Sequence, residues 1–236
     1  MSNENQVKHW HVTYNNIHNL IRKNCPKIAV DFNPDLLVAI GGGSVGVCFQ
    51  LDLWLDGDCG FDVEDSFPLE RTFLREATTK KTLQIQAIGL SLYEPVEGVA
   101  EEKIAEEVIR TQWLGAEAGK MLLGKRVLIV DEVDDTRKTL SYALTELKRD
   151  VETELLNRPE ADRDALRAST KFGIFVVHNK NKPKLAELPE GTTYYSGEEV
   201  DDVWLDYPWE STDIEEHDRL AALDVGNAAA ATKKDV

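Results

Sequence analysis

The chain has 236 residues, with 27 Lys and Arg against 43 Asp and Glu and a formal net charge of −16. That length suits one sizeable α/β domain with its own core, and the charge sets the chain as a whole against phosphate backbones and anionic membranes, which argues against nucleic-acid and membrane partners. No apolar run approaches the roughly 20 residues of a membrane span. The start carries no apolar stretch behind a basic end, and Cys25, Cys48 and Cys59 lack the paired spacing of metal or redox motifs; a soluble cytoplasmic protein with reduced thiols is expected.

In chain order, "NNIHNLIRKNCPKI" reads as an amphipathic helix stopped near Pro26. "LLVAI" (Leu36 to Ile40), a short apolar run ended by three glycines, reads as a buried strand. "LQIQAIGLSLY" (Leu83 to Tyr93) alternates as a strand does. Pro95 to Gly124 is charged, helix-prone and without a strong apolar period, which suits a mobile excursion. "VLIV" (Val127 to Val130) predicts a further strand, and Leu140, Leu144, Leu147, Val151 and Leu155 mark one face of a long helix. "FGIFVVH" (Phe172 to His178) predicts a fourth strand, and from residue 223 the small, polar end reads as a frayed tail. Strands alternating with helices predict an α/β fold with a mainly parallel twisted sheet flanked by helices.

The stretch "VLIVDEVDDTRKTL" places four acids in five positions at a strand's carboxyl end, then hydroxyls and cations at a helix start. Like charges this close repel, so a ligand is sought at the crevice outside the strand ends. An ordinary helix start would use Asp135 or Thr136 as its cap. That does not account for Arg137 and Lys138, cations where the helix dipole is positive, or for Thr139. An anion does, because backbone N–H groups, hydroxyls and cations converge on phosphate at a helix amino terminus. Asp131 and Glu132 suit a ribose diol and a hydrated Mg²⁺. One ligand combines phosphate, diol and a pyrophosphate needing Mg²⁺: phosphoribosyl pyrophosphate.

The same stretch resembles the signature of the type I phosphoribosyltransferases. "DLLVAIGGG", "RTFLRE", "IGLSLYE", "RTQW", "GKRVLIVDEVDDTRKTLSYAL", "FGIFVVHNK" and "YPWESTDI" resemble, in order, the fungal hypoxanthine-guanine branch of that family. The resemblance implies the type I fold, with a small hood built from the amino- and carboxyl-terminal segments, a phosphoribosyltransferase domain over 1–222, and as partners phosphoribosyl pyrophosphate, a 6-oxopurine and a second copy of the chain as homodimer. It implies that Asp135 handles the purine proton, that Asp131 and Glu132 hold the ribose diol with Mg²⁺ nearby, and that Thr136, Arg137, Lys138 and Thr139 cradle the 5′-phosphate. Gly42 and Gly43 belong to the pyrophosphate loop. Lys180, or by spacing Lys182, donates to the 6-oxo group, and Trp204 stacks on the base. Leu205 and Glu210 lie at the base edge, Glu210 also near the metal, while Ser91 and Tyr93 begin a closing loop. Trp209 is left to packing.

Two rival readings remain. "GGGSVG" with Asp62 fits a dinucleotide fingerprint, but no helical period follows its last glycine. A nucleotide-sensing regulator on the same fold is the stronger rival.

The resemblance fails at one place. Where the family continues with an apolar residue and Pro-Ala-Arg, Ser44 to Phe67 intervenes, with six Asp or Glu, no Lys or Arg and two of the three cysteines. Such a segment either loops out at small entropic cost or is foreign to a working enzyme, as intronic sequence read through in a gene model would be. Its negative charge beside the pyrophosphate loop opposes anion binding, so weak activity is expected.

Overall fold

The structure, a computed structural model, describes residues 8–41, 83–92 and 108–232, the last eight of these by backbone alone. Gly42, Gly43, Tyr93 and the segment 44–67 lie outside the described residues.

The central sheet contains β2 (Leu36–Gly41), β3 (Gln84–Leu92), β4 (Val108–Gln112), β5 (Arg126–Asp134), β6 (Lys171–Lys180) and β7 (Thr193–Val200). Its order is β4-β3-β2-β5-β6-β7, parallel throughout except for the antiparallel β3–β4 pair. Central strands read as continuous apolar runs because both faces are covered. Val127 and Ile129 of β5, and Ile174 and Val176 of β6, pack with Leu140, Ala143, Leu144, Leu147, Val151 and Leu155 of α3 (Lys138–Leu156). Leu128, Phe175 and Val177 turn the other way, onto Ile17, Ile21, Cys25 and Ile28 of α1 (Tyr14–Asp31). Burying each of these large side chains is worth about 1.5–3 kcal/mol, so the period-four-and-three stripe read on α3 is half of one core.

Four sequence expectations change. Helix α1 continues through Pro26 to Asp31, because Pro26 and Arg22 both sit on the solvent face, where a carbonyl left without its helical donor can bond water, while Ile28 and Ala29 continue the buried face. The stretch 95–124 is no simple excursion: β4 and the short α2 (Ala118–Leu122) lie in it. As an edge strand half in water, β4 shows no clean alternation. It is docked by Arg110, whose guanidinium lies 4.1 Å from the Trp113 ring centre. The expected tail is instead helical to Thr232 in α5 (Ile214–Thr232); its run of alanines is the best of helix formers. Finally, β7 and α4 (Glu160–Ser169) went unread, the first half polar and the second without a buried residue.

The hood is real. Strand β1 (His9–His11) pairs in parallel with β8 (Trp204–Asp206), forming a separate two-stranded sheet. Helix α5 closes over it: the His217 ring Nε2 lies 2.8 Å from the Val12 carbonyl oxygen, and Asp224 accepts from the His11 backbone N–H at 2.9 Å. Among the described residues no helix is long and apolar enough to cross a membrane.

Candidate active site

The strand order reverses between β2 and β5: β3 lies outside β2, and β6 outside β5. The crevice at the carboxyl ends of those strands is where an open α/β sheet binds ligands, and Asp131, Glu132, Asp135, Lys180 and the 136–139 segment all stand on that rim. Strand β5 runs further than its apolar core and carries the acids up to Asp134. Strict alternation would send Val130 and Val133 to opposite faces, yet both pack in the α1 and hood core; the break falls at Asp131 and Glu132.

Asp131 is partly buried, and burial pushes its carboxyl well up, with the neighbouring Glu132 charge adding to it. The Glu132 backbone N–H donates to Asp131 Oδ1 at 3.0 Å. Across the crevice Glu210, in the 3₁₀ turn Pro208–Glu210, accepts from the Tyr207 backbone N–H at 3.2 Å. Its carboxyl is also raised, first by burial and further by Glu132.

Asp135 stands between two lysines. Lys182 Nζ is 2.6 Å from Oδ1 and Lys180 Nζ 3.3 Å from Oδ2. Burial alone would raise its pKa, but the hydrogen bonds and charges of Lys182 and Lys180 outweigh that, and the net shift is downward. Lys180 ends β6 and is buried; Lys182 also reaches Asp202 at 3.0 Å. The two lysines that spacing could not separate therefore meet the same carboxylate.

Helix α3 does not start as an ordinary cap would have it. Neither Asp135 nor Thr136 is its N-cap. Arg137 is, in the left-handed conformation (φ 69°, ψ −2°) and with no side-chain cap bond. The first helical bond runs from the Ser141 N–H to the Arg137 carbonyl at 3.0 Å, so the N–H groups of the first turn point beyond the helix end. The Arg137 side chain turns back: Nε and Nη2 lie 2.9 and 2.8 Å from Oδ2 of Asp134.

On the hood, Trp204 is 57% exposed, whereas Leu205 beside it is buried. Trp209 stacks on Tyr207 at 4.7 Å between ring centres, a packing role as expected. Ser91 is exposed at the carboxyl end of β3. Sequence reasoning missed Lys184, Tyr194, Tyr207 and His178. Lys184 Nζ donates to the carbonyls of Asp134 (2.6 Å), Lys180 (2.9 Å) and Asp135 (3.0 Å). The only signal was a third lysine in "KNKPK". The Tyr207 hydroxyl donates to the Glu132 carbonyl at 3.0 Å and lies 2.8 Å from His178 Nδ1, which makes Nδ1–H the donor in that pair.

No family model matches the chain. Curated relatives do. The chain is 41% identical to the hypoxanthine-guanine phosphoribosyltransferase of Saccharomyces cerevisiae, over 92% of each chain. It is 44% identical to the enzyme of that name from Schizosaccharomyces pombe, over 89% of this chain and 93% of the relative. Xanthine phosphoribosyltransferase 1 of S. cerevisiae matches at 41%, over 89% and 94%. Among solved structures, a Neisseria gonorrhoeae protein with bound ppGpp aligns at TM-score 0.65 and 30% identity, over 94% of this chain and 99% of that one. A purine phosphoribosyltransferase from Pyrococcus horikoshii shares the fold at TM-score 0.50 and 16% identity, over 87% and 96%. The chain is thus a member of the type I purine phosphoribosyltransferases, beside the fungal hypoxanthine-guanine enzymes.

Proposed function

We propose that this crevice carries out the family's reaction through the residues just described: phosphoribosyl passes from phosphoribosyl pyrophosphate to N9 of hypoxanthine or guanine, giving IMP or GMP and pyrophosphate. The observation that carries the reading is Asp135, a carboxylate held by Lys180 and Lys182 beside a helix end whose first N–H groups lack side-chain caps. Those N–H groups, with Thr136, Lys138 and Thr139, form the 5′-phosphate cradle. Asp135 takes the purine proton. While both lysines hold it, Asp135 is a weak base; a 6-oxo group that draws a lysine donor away raises its basicity as the purine seats. Positioned proton transfer of this kind is worth about 10²–10⁴ in rate. Trp204 stacks on the base, and Leu205 and Glu210 border its C2 edge. Ser91, at the root of the 93–107 segment, marks where a closing loop would exclude water.

Asp131, Glu132 and Glu210 fit Mg²⁺. Burial, with the Glu132 charge adding to it, raises Asp131 and Glu210, so a cation beside them would ease their ionisation. Among the described residues no three carboxylates converge to hold a metal directly, so the ion would be held mostly through water and ligand oxygens. Mg²⁺ commonly binds in that way, through one or two carboxylates with several waters kept. When bound it would neutralise charge on the departing pyrophosphate.

The test is a panel of hypoxanthine, guanine and xanthine with phosphoribosyl pyrophosphate, with and without Mg²⁺, and nucleotides resolved by chromatography. IMP and GMP are expected, and absence of any nucleotide would overturn the reading. The family resemblance also supports a cytoplasmic homodimer, which sedimentation and a fluorescent fusion would check. For segment 44–67 the reading is that its acids weaken phosphoribosyl pyrophosphate binding. Replacing Ser44 to Leu69 with a short apolar-Pro-Ala-Arg linker should raise activity; equal activity would make the segment a harmless insertion.

A second reading, a nucleotide-binding regulator, rests on the ppGpp held by the Neisseria protein. A guanosine polyphosphate shares the base and 5′-phosphate of GMP. Calorimetric titration with ppGpp, beside the product assay, separates the two: binding without turnover favours the regulator.

A further inference from the structure

We propose that Arg137 and Tyr194 form a clamp on buried Asp134 that sets the shape of the 135–139 phosphate loop, and that the Arg137 side chain is a positioning group rather than a phosphate ligand. The proposal rests on reading that loop as the phosphate cradle. Asp134 ends β5 with its side chain fully buried. Its Oδ2 accepts from Arg137 Nε at 2.9 Å, from Arg137 Nη2 at 2.8 Å and from the Tyr194 hydroxyl at 2.8 Å. Its Oδ1 has no hydrogen bond among the described residues but faces Lys184 Nζ at 3.5 Å.

Arg137 also lies over the Tyr194 ring, 5.1 Å from its centre. Burial, with the Asp134 charge behind it, pushes the Tyr194 phenol far up, so it stays a neutral donor at every working pH. The guanidinium is thereby fixed between a carboxylate and an aromatic face, the two partners its planar fork suits best.

Backbone geometry shows what the clamp holds. Arg137 has φ 69°, a left-handed conformation that side chains with a Cβ rarely adopt. Glycine would adopt it freely. An arginine persists there because its side chain has a destination, and the same turn aims the first N–H groups of α3 out of the helix end. The clamp is braced on its far side. The Leu185 N–H donates to the Thr136 carbonyl at 3.0 Å, and Ser141 Oγ donates to the Glu187 carbonyl at 2.9 Å.

Three full-length variants decide the matter. Tyr194→Phe removes one hydrogen bond to Asp134 and touches nothing that a phosphate could reach. Arg137→Lys keeps the positive charge and loses the fork, while Arg137→Gly removes the backbone strain together with the clamp. Each should raise the KM for phosphoribosyl pyrophosphate about 10-fold, the scale of a small misplacement in a binding site. The purine KM should stay within about twofold in all three, and Tyr194→Phe combined with Arg137→Lys should be far less than additive. Hydrogen exchange of the 135–140 amides should quicken in each variant, a readout that needs no turnover. If Tyr194→Phe matches the unmodified chain in both exchange and KM, the clamp is refuted. A large loss in Arg137→Gly that Arg137→Lys rescues would make Arg137 a phosphate ligand. Should the unmodified chain make no nucleotide, the site reading fails, and the exchange rates still decide the clamp.

Discussion

The two walls of the crevice are built on different plans. The sheet wall hangs on central parallel strands and is buried and cross-linked: Asp134 accepts from Arg137 and Tyr194, and the ammonium groups of Lys180 and Lys184 turn onto a carboxylate or carbonyls. The hood wall hangs on two strands of three residues each and presents Trp204 and Glu210 to solvent. On the function proposed above, chemistry common to every 6-oxopurine would fall on the buried wall, and recognition of what differs between purines on the thinly supported one. Relatives named for hypoxanthine-guanine and for xanthine match this chain almost equally, at 44% and 41%. That is the pattern expected when specificity needs only small changes on a thinly supported surface.

The largest effect should come where the walls meet. Asp135→Asn keeps size but loses the proton acceptor, so turnover should fall by about 10² or more while phosphoribosyl pyrophosphate still binds; single-turnover and binding measurements together check this. Near-normal turnover would leave Asp135 a structural partner of the lysines.

Next is the joint between walls. Burial holds His178, on the sheet, neutral down to about 4 instead of 6.5. The folded state therefore binds fewer protons than the unfolded one. The His178 contribution is complete above about pH 6.5 and is lost as pH falls towards 4, about 3 kcal/mol in all. Asp131, raised by burial, works in the opposite direction, so the comparison must be with His178→Gln. Melting curves of that variant should have lost this part of the acid slope.

Lys184→Met tests the stiffness of the sheet wall. Three carbonyls lose a charged donor, and about 2 kcal/mol of unfolding free energy should go with it. A change confined to surface values, below about 0.5 kcal/mol, would show that the wall is held by packing alone. The effect least felt by the fold belongs to the hood: Trp204→Leu should weaken product binding by about 1–3 kcal/mol, the range of base–aromatic stacking, without moving the melting temperature. Equal affinity would assign Trp204 to the surface.

What the residues could tell in advance follows the same division. Long apolar runs and the α3 stripe were legible because their burial on two faces leaves few alternatives. So was the acid-hydroxyl-cation order of 131–139, since few ligands ask for that mixture. The clamp was not legible, because Asp134 to Tyr194 spans 60 positions and nothing local marks a tyrosine on an edge strand as the partner of a loop arginine. The charge of Arg137 suggests a phosphate contact, while the structure shows its side chain on Asp134, a partner that charge alone does not single out. Alanines near the carboxyl terminus looked like a frayed end, yet the same composition favours a helix once one turn is anchored.

That anchoring spans nearly the whole chain. His11 and Asp224 are separated by 213 positions, and the imidazole Nδ1 meets the carboxylate at 2.9 Å. Strand β1 is held between β8 and α5, so the strand that carries Trp204 gains its partner only when α5 arrives. On a ribosome the sheet wall can form while the carboxyl-terminal helix is still being made, whereas the hood surface around Trp204 waits for that helix. Ordering the two walls in time this way leaves a nascent chain able to assemble the 135–139 loop before the hood is closed, and closing such a long loop makes the hood the late event of folding.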